Sequence, residues 1–194
     1  MEQNFFSLLS KKIVATVIAI GSMFYSTISG VVAEFDELHL RTRGDQLVLS
    51  TNLLNCFSED LDRIFSSGKE IKIHFLVEVL NATNEETTHD TTFYYSVKYS
   101  LVDRIYEVVR SNSGERFSGL SLEGAKEKVA EIDEITVILA SQLTFGVQYL
   151  VRVTASMEKI RLPGMEEELN LMFYWNSLKP VAISGPFTKD IFKQ

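Results

Sequence analysis

The stretch from Ile71 to Leu80 constrains the fold of this chain more than any other. Its odd-numbered positions are all apolar, and its even-numbered positions include Lys72, His74 and Glu78. Period-two alternation with β-branched residues is typical of a strand with one buried face. The pattern predicts a long strand in a sheet that packs against another layer.

A second alternating stretch follows after a polar segment. Phe93, Tyr95, Val97, Tyr99 and Leu101 occupy every other position, and the polar segment is 82–90. Two alternating runs joined by a polar connection predict an antiparallel hairpin.

Shorter apolar runs predict six further strands. An opening hairpin turns at Arg43-Gly44-Asp45, between 38–41 and 46–50. The other four predicted strands are 105–110, 135–140, 149–157 and 169–175.

Two segments have helical spacing. Apolar residues recur along one stripe between Leu53 and Phe65, after a capping residue at Thr51 or Asn52. Ser121 is the predicted cap of a second, shorter helix, in which Gly124 weakens helix formation. The first helix is expected to pack on the sheet, and the two helices together to cap its open edges or ends.

These elements predict one fold class. We expect a mainly β protein, an antiparallel β-sandwich or strongly curved sheet of about eight strands with two helices. No Pro occurs between Glu34 and Leu162, which favours long uninterrupted ladders. The predicted organisation is a single β-rich domain over 34–186 and a C-terminal tail over 187–194.

The N-terminal segment 1–33 resembles a targeting signal rather than part of the domain. Lys11 and Lys12 precede an uncharged apolar run over 13–25, and small residues lead to Val31-Val32-Ala33. This layout is typical of a secretory signal peptide cleaved before Glu34. The uncharged stretch 13–33 is also long enough for an uncleaved membrane anchor. Either alternative predicts an exported, periplasmic body, which the second would anchor to the inner membrane.

Composition excludes several kinds of chemistry. The net charge of −7 argues against non-specific nucleic-acid binding, which needs a basic face. A lone Cys56 excludes disulfide frameworks and cysteine-based zinc clusters, and we expect its thiol to be buried. No catalytic, cofactor or metal site is predicted, because no nucleophile motif, P-loop or dinucleotide fingerprint is present.

One sheet face is a candidate interaction surface. Tyr94 and Lys98 share a face of one predicted strand, and Arg152 and Thr154 share a face of another. Tyr and Arg are enriched at the centres of protein interfaces. If the two strands are neighbours, these four side chains form one surface; an ordinary solvated face is the alternative.

Several stretches in a fixed order resemble a known family. They are 97–106, 117–125, 149–153, Arg161-Leu162-Pro163 and Trp175-Asn176-Ser177. Together they resemble the bacterial envelope family catalogued as domain-of-unknown-function family 4390, over roughly residues 40–180. The single Trp and the final segment depart from that family's pattern. The resemblance implies a bacterial, exported protein and assigns no catalytic residue.

The sequence therefore favours an exported protein without enzymatic activity. We expect it to act through protein–protein interaction, as an accessory or structural part of a cell-envelope complex with an envelope or membrane protein as partner. Contact with the membrane itself is expected only through an uncleaved N-terminal segment. The alternative is a carrier or sensor of an apolar small ligand held between sheet and helix, which the aromatic-rich strands suggest.

Overall fold

The computed structural model describes residues 31–162 and 164–193. Most of the predicted targeting segment, residues 1–30, lies outside the described residues. The described strands, in chain order, are β1 (Glu34–Phe35), β2 (His39–Arg43), β3 (Gln46–Leu54), β4 (Ile71–Asn81), β5 (Thr87–Ser100), β6 (Ile105–Arg110), β7 (Arg116–Leu120), β8 (Glu131–Leu139), β9 (Tyr149–Met157), β10 (Lys159–Ile160), β11 (Leu169–Asn170) and β12 (Val181–Ile183). The α-helices are α1 (Glu59–Phe65) and α2 (Leu122–Ala130).

The fold is mainly β with antiparallel pairing throughout, as predicted. A six-stranded sheet has the order β12-β9-β4-β5-β6-β7. In a second sheet β3 pairs with β1, β2 and β8, and β10 and β11 form a small separate hairpin. The inward face of the six-stranded sheet and the residues of the second sheet share one hydrophobic core, which gives a sandwich-like arrangement.

The alternation in β4 determines which face is buried. Its odd-numbered residues from Ile71 to Val79 are at most 2% exposed, whereas Lys72, His74, Leu76 and Glu78 are half-buried on the opposite face. The hairpin with β5 runs in register from Ile71↔Val97 to Val79↔His89. The loop is shorter than predicted, because the ladder already begins at Thr87, which pairs with Leu80 across a bulge.

The first predicted helix begins too early. Residues 51–54 belong to β3, where Thr51 pairs with Ile132 of β8 and Leu53 pairs with Phe35 of β1. Ladder hydrogen bonds to two strands override the helical spacing of the leucines. The helix starts at Glu59, and the hydroxyl of Ser58 caps it by accepting from the Leu61 amide at 3.3 Å. The second helix is capped at Ser121, as predicted, through the Gly124 amide at 3.1 Å.

The last predicted strand is also wrong for most of its length. Only Leu169–Asn170 is extended, and a 3₁₀ turn follows over Leu171–Trp175. Leu171, Tyr174 and Trp175 are buried, a spacing that matches one side of a helical turn. The Trp175 indole donates a hydrogen bond to the carbonyl oxygen of Cys56 at 2.8 Å. This contact ties the turn to the loop before α1.

Two further segments differ from prediction. Strand β7 follows the turn at 112–114 and pairs with β6. The region after Pro180 is ordered along β9: β12 pairs with Arg152–Thr154, and Phe187 pairs with Tyr149 through two backbone hydrogen bonds of 2.8 and 2.9 Å. Such short strands leave little periodicity to read in the sequence.

A buried arginine attaches α2 to the six-stranded sheet. The Arg110 guanidinium, whose side chain is 8% exposed, lies 5.1 Å from the Tyr95 ring centroid and 5.2 Å from that of Phe117. It donates to the carbonyl oxygens of Lys128 and Glu131 at 2.9 and 3.1 Å. A cation at these last carbonyls is favourable, because the helix dipole is negative there.

We predict that Trp175→Phe lowers the free energy of unfolding by about 1–3 kcal/mol, because the buried Cys56 carbonyl loses its donor. The measurement is urea unfolding followed by circular dichroism. Phe173→Leu, in the same turn at a half-exposed side chain, is the control and should have a clearly smaller effect. Equal losses for the two variants would contradict the role assigned to the indole.

Candidate functional site

The candidate site is the face of the six-stranded sheet that points away from the core, here called the outer face. Alternation brings even-numbered residues of β4, β5 and β9 to this face. The register aligns them in rows across the sheet: His74 lies between Tyr94 and Ser156, and Leu76 lies between Thr92 and Thr154. The rows identify which side chains are neighbours.

The four predicted surface residues all lie on the outer face. Tyr94 and Lys98 are on β5, and Arg152 and Thr154 are on β9. The two strands are not neighbours, because β4 lies between them. The pairs are therefore two strand spacings apart across the sheet, about 10 Å, and they are also offset along the strands, since Tyr94 lies in the row of His74 and Arg152 in the row of Glu78. Residues of β4 fill the space between the two pairs.

Arg152 is held in place by an ion pair with Glu78. Its Nε and one terminal nitrogen donate to the two carboxylate oxygens of Glu78 at 2.8 and 2.9 Å. Thr87 adds a third hydrogen bond to the same carboxylate at 3.2 Å. The hydrogen bonds from Arg152 lower the pKa of Glu78, against the opposing effect of burial. This two-pronged geometry fixes the orientation of the guanidinium.

Tyr94 lies in a mixed polar and aromatic group at the other end of the face. The Lys72 ammonium is 5.0 Å from the centroid of the Tyr94 ring, and the His74 ring centroid is 5.9 Å away. His74 Nε2 lies 3.6 Å from a carboxylate oxygen of Glu158. Lys98 is exposed and lines a shallow cleft of about 360 Å³ with Lys69, Lys72 and Glu158.

Sequence reasoning missed the most exposed apolar residues of this face. Val181 and Ile183 of β12 are 52% and 56% exposed. Val181 lies beside Thr154, and Ile183 lies beside Arg152. Their period-two spacing after Pro180 was the available signal, but three residues are too few to distinguish a strand from a tail.

The remaining sequence candidates lie inside the domain. Cys56 is 1% exposed, as expected, and burial raises the pKa of its thiol to about 12. Such a thiol has little thiolate character at neutral pH and is a poor nucleophile.

The aromatic residues that suggested a ligand carrier pack against one another. The Phe75 ring centroid lies 5.1 Å from that of Phe93 and 5.3 Å from that of Tyr95. All three side chains are buried in the core. No observation favours a ligand between them, so the carrier alternative stays a prediction.

A membrane-spanning helix and a cluster of metal ligands are both absent from the residues that the structure describes. Neither of their helices has the length and apolar character to span a membrane. Across 31–162 and 164–193, no three His, Cys, Asp or Glu side chains are grouped as metal ligands.

The comparisons with known proteins give one match. The sequence model of the family described as "Domain of unknown function (DUF4390)" matches residues 32–176, which is more than half of the chain. No curated protein and no solved structure matches the chain. The matched region includes most of the outer face and ends before β12.

We predict that Glu78→Gln makes the free energy of unfolding less dependent on pH in the acidic range. Because the folded carboxyl has a lowered pKa, its ion pair with Arg152 stabilises the protein fully above about pH 5. That stabilisation is lost as the pH falls through the lowered pKa. In denaturant unfolding at a series of pH values, the free energy of unfolding should therefore fall less steeply with acidification for Glu78→Gln than for wild type. Thr154→Ser, on the same face, is the control. The same steepness for Glu78→Gln and wild type would contradict this assignment.

Proposed function

The chain belongs to the family described as "Domain of unknown function (DUF4390)", and we propose a function for it from its own sequence and structure. It is an exported, non-enzymatic protein that acts through protein–protein interaction. The proposed role is an accessory or structural part of a cell-envelope complex, with an envelope or membrane protein as partner. The observation that carries this proposal is a strip of the outer face formed by Val181 and Ile183 of β12, Arg152 and Thr154 of β9, and Leu76 of β4, here called the apolar strip.

The strip has the composition of a protein-binding surface. Exposed Val181 and Ile183 continue in register into Thr154 and Arg152, and half-buried Leu76 lies beyond Thr154. Adjoining exposed apolar side chains on a soluble surface often mark an interaction site. An arginine among them adds the residue type most enriched, with Trp and Tyr, at interface hot spots.

The fixed guanidinium supports the same interpretation. Two hydrogen bonds to Glu78 hold Arg152 before any partner arrives. A side chain that is already ordered loses less conformational entropy on binding. Because the carboxylate accompanies the guanidinium, a partner that covers the strip would bury a paired charge rather than an isolated one, which costs less.

The proposal of a non-enzymatic role rests on the titratable groups of the described residues. The Cys56 thiol is buried, and burial keeps it protonated at neutral pH. In this part of the chain, each of the three carboxyls with a lowered pKa is engaged by a cation: Glu78 by Arg152, Glu131 by Lys128 and Arg110, and Asp190 by Lys193. Structural ion pairs of this kind lower a pKa without any catalytic task.

Export is proposed from the sequence of residues 1–33. Mass spectrometry of the N-terminus of the protein from its native host tests it: a start at Glu34 supports cleavage, and an intact Met1 supports the anchored alternative. In the structure the Val31 amide donates to the Tyr174 carbonyl oxygen at 2.9 Å, and Val31 and Ala33 pack against the core. Cleavage before Glu34 would remove these contacts.

We predict that Val181→Lys reduces recovery of the partner at least about tenfold, because it places a charge in the apolar strip. The measurement is quantitative mass spectrometry of proteins crosslinked to the tagged full chain in its native host. Val102→Lys is the matched control, since Val102 is 89% exposed in the turn between β5 and β6, and it should keep the partner. Equal recovery from both variants would contradict the proposed surface.

A further inference from the structure

Strand β2 has a free edge. It pairs only with β3 among the described strands, from His39↔Ser50 to Arg43↔Gln46 without a register shift. The two strands are joined by a two-residue turn, Gly44-Asp45, with Gly44 at φ +63°. In such a hairpin the residues that flank the turn form a hydrogen-bonded pair, and every second pair repeats it.

This alternation determines which backbone groups face outward. Arg43, Arg41 and His39 direct their amide and carbonyl groups toward β3. Leu40 and Thr42 direct theirs away from it. No backbone hydrogen bond joins these two residues to any other segment of the described chain. The edge therefore offers two donors and two acceptors in the arrangement that an added strand requires.

A groove runs along this edge. Leu38, Leu40, Arg41 and Thr42 line one wall, and 184–187 with Ile191 line the other. Its volume of about 620 Å³ lies within the range of about 300–1,000 Å³ that is typical of ligand clefts. On the far wall, Ser184 and Phe187 are already engaged in hydrogen bonds with the backbone of Val151 and Tyr149. On the β2 wall, the backbone groups of Leu40 and Thr42 have no partner among the described residues.

The two faces of β2 have different chemistry. Leu40 is half-buried, whereas His39, Arg41 and Arg43 are exposed on the opposite face. Arg43 is paired with Glu134 at 2.7 Å. No hydrogen bond or ion pair is found for the side chains of His39 and Arg41 within the described part of the chain. An added strand would place one set of side chains on the apolar side and the alternate set beside these basic residues.

We propose that the β2 edge binds an extended peptide segment of a partner protein, with alternating apolar and acidic residues, by strand addition in this groove. The acidic side chains pair with Arg41 and His39, and the apolar ones lie with Leu40 and Phe187. This site adjoins the outer face at the end of β12 but uses different residues, so it does not rest on the proposed function.

Charge excludes a second copy of this chain as the occupant. Antiparallel pairing of two β2 strands centred on Arg41 would set Arg41 opposite its own copy. Like charges directly opposite one another in a sheet are destabilising. The net charge of −7 also means that any attraction for an acidic peptide must arise from this local row.

The probe is a fluorescent, end-blocked peptide of sequence Val-Glu-Val-Asp-Val-Glu-Val, titrated into the full chain purified as its host processes it. A peptide with Lys at the three acidic positions is the charge control. We expect the acidic peptide to bind at least about tenfold more tightly than the basic one, because of the local basic row. Arg41→Glu should reverse that preference.

Two variants separate strand addition from general charge attraction. Thr42→Pro removes one outward amide at an exposed edge position and should weaken binding about tenfold or more. Arg161→Glu changes an exposed arginine elsewhere and should leave binding within about twofold. Bound peptide should slow hydrogen exchange at the amides of Leu40 and Thr42.

Three outcomes would overturn the proposal. One is that the acidic peptide does not bind, which would mean that the charges of this edge serve only to prevent aggregation. Another is binding that Arg161→Glu weakens as much as Arg41→Glu. The third is binding without exchange protection at Leu40 and Thr42. Val181→Lys should leave peptide binding unchanged, so that failure here and failure of the outer-face proposal are distinguishable.

Discussion

The two-faced β4 strand at the centre of the six-stranded sheet is the constraint on which the rest of the structure depends. Its odd-numbered residues are removed from water by the second sheet and the helices, and this burial is the main driving force for folding. Pairing on both sides extends the same division to β5 and β9. Because the other layers of the described chain cover one face, the opposite face of this sheet is the one from which we propose that side chains reach a partner.

Buried polar contacts help to hold the 3₁₀ turn and helix α2 on this frame. The Trp175 indole holds the 3₁₀ turn to the Cys56 carbonyl, and the Arg110 guanidinium holds the end of α2 through two carbonyl oxygens. Each contact satisfies a group that would otherwise be buried without a partner, which makes its loss costly. Among the described strands, β2 and β12 each pair with one neighbour only, so both proposed surfaces lie where a sheet ends.

Local alternation was sufficient to predict β4, β5 and β9, because long half-buried strands encode their buried face in every second residue. The same reasoning failed for 171–175, where an alternating apolar pattern folds as a turn because Trp175 finds a partner in another segment. It also placed 51–54 in a helix that β8 and β1 convert to strand. For the candidate site, it put Tyr94, Lys98, Arg152 and Thr154 on one face. It missed Val181 and Ile183, whose position depends on pairing with β9.

The most direct test of partner binding by the outer face is site-specific photo-crosslinking in the native host. The photoreactive residue is placed at Ile183 or at Val102 in the full chain. Both positions are exposed, but only Ile183 lies beside Arg152 on the outer face. We expect one recurrent protein adduct from position 183 that is absent from position 102. Identical adducts from the two positions, or none from 183, would contradict the claim that this face is where the protein meets its partner.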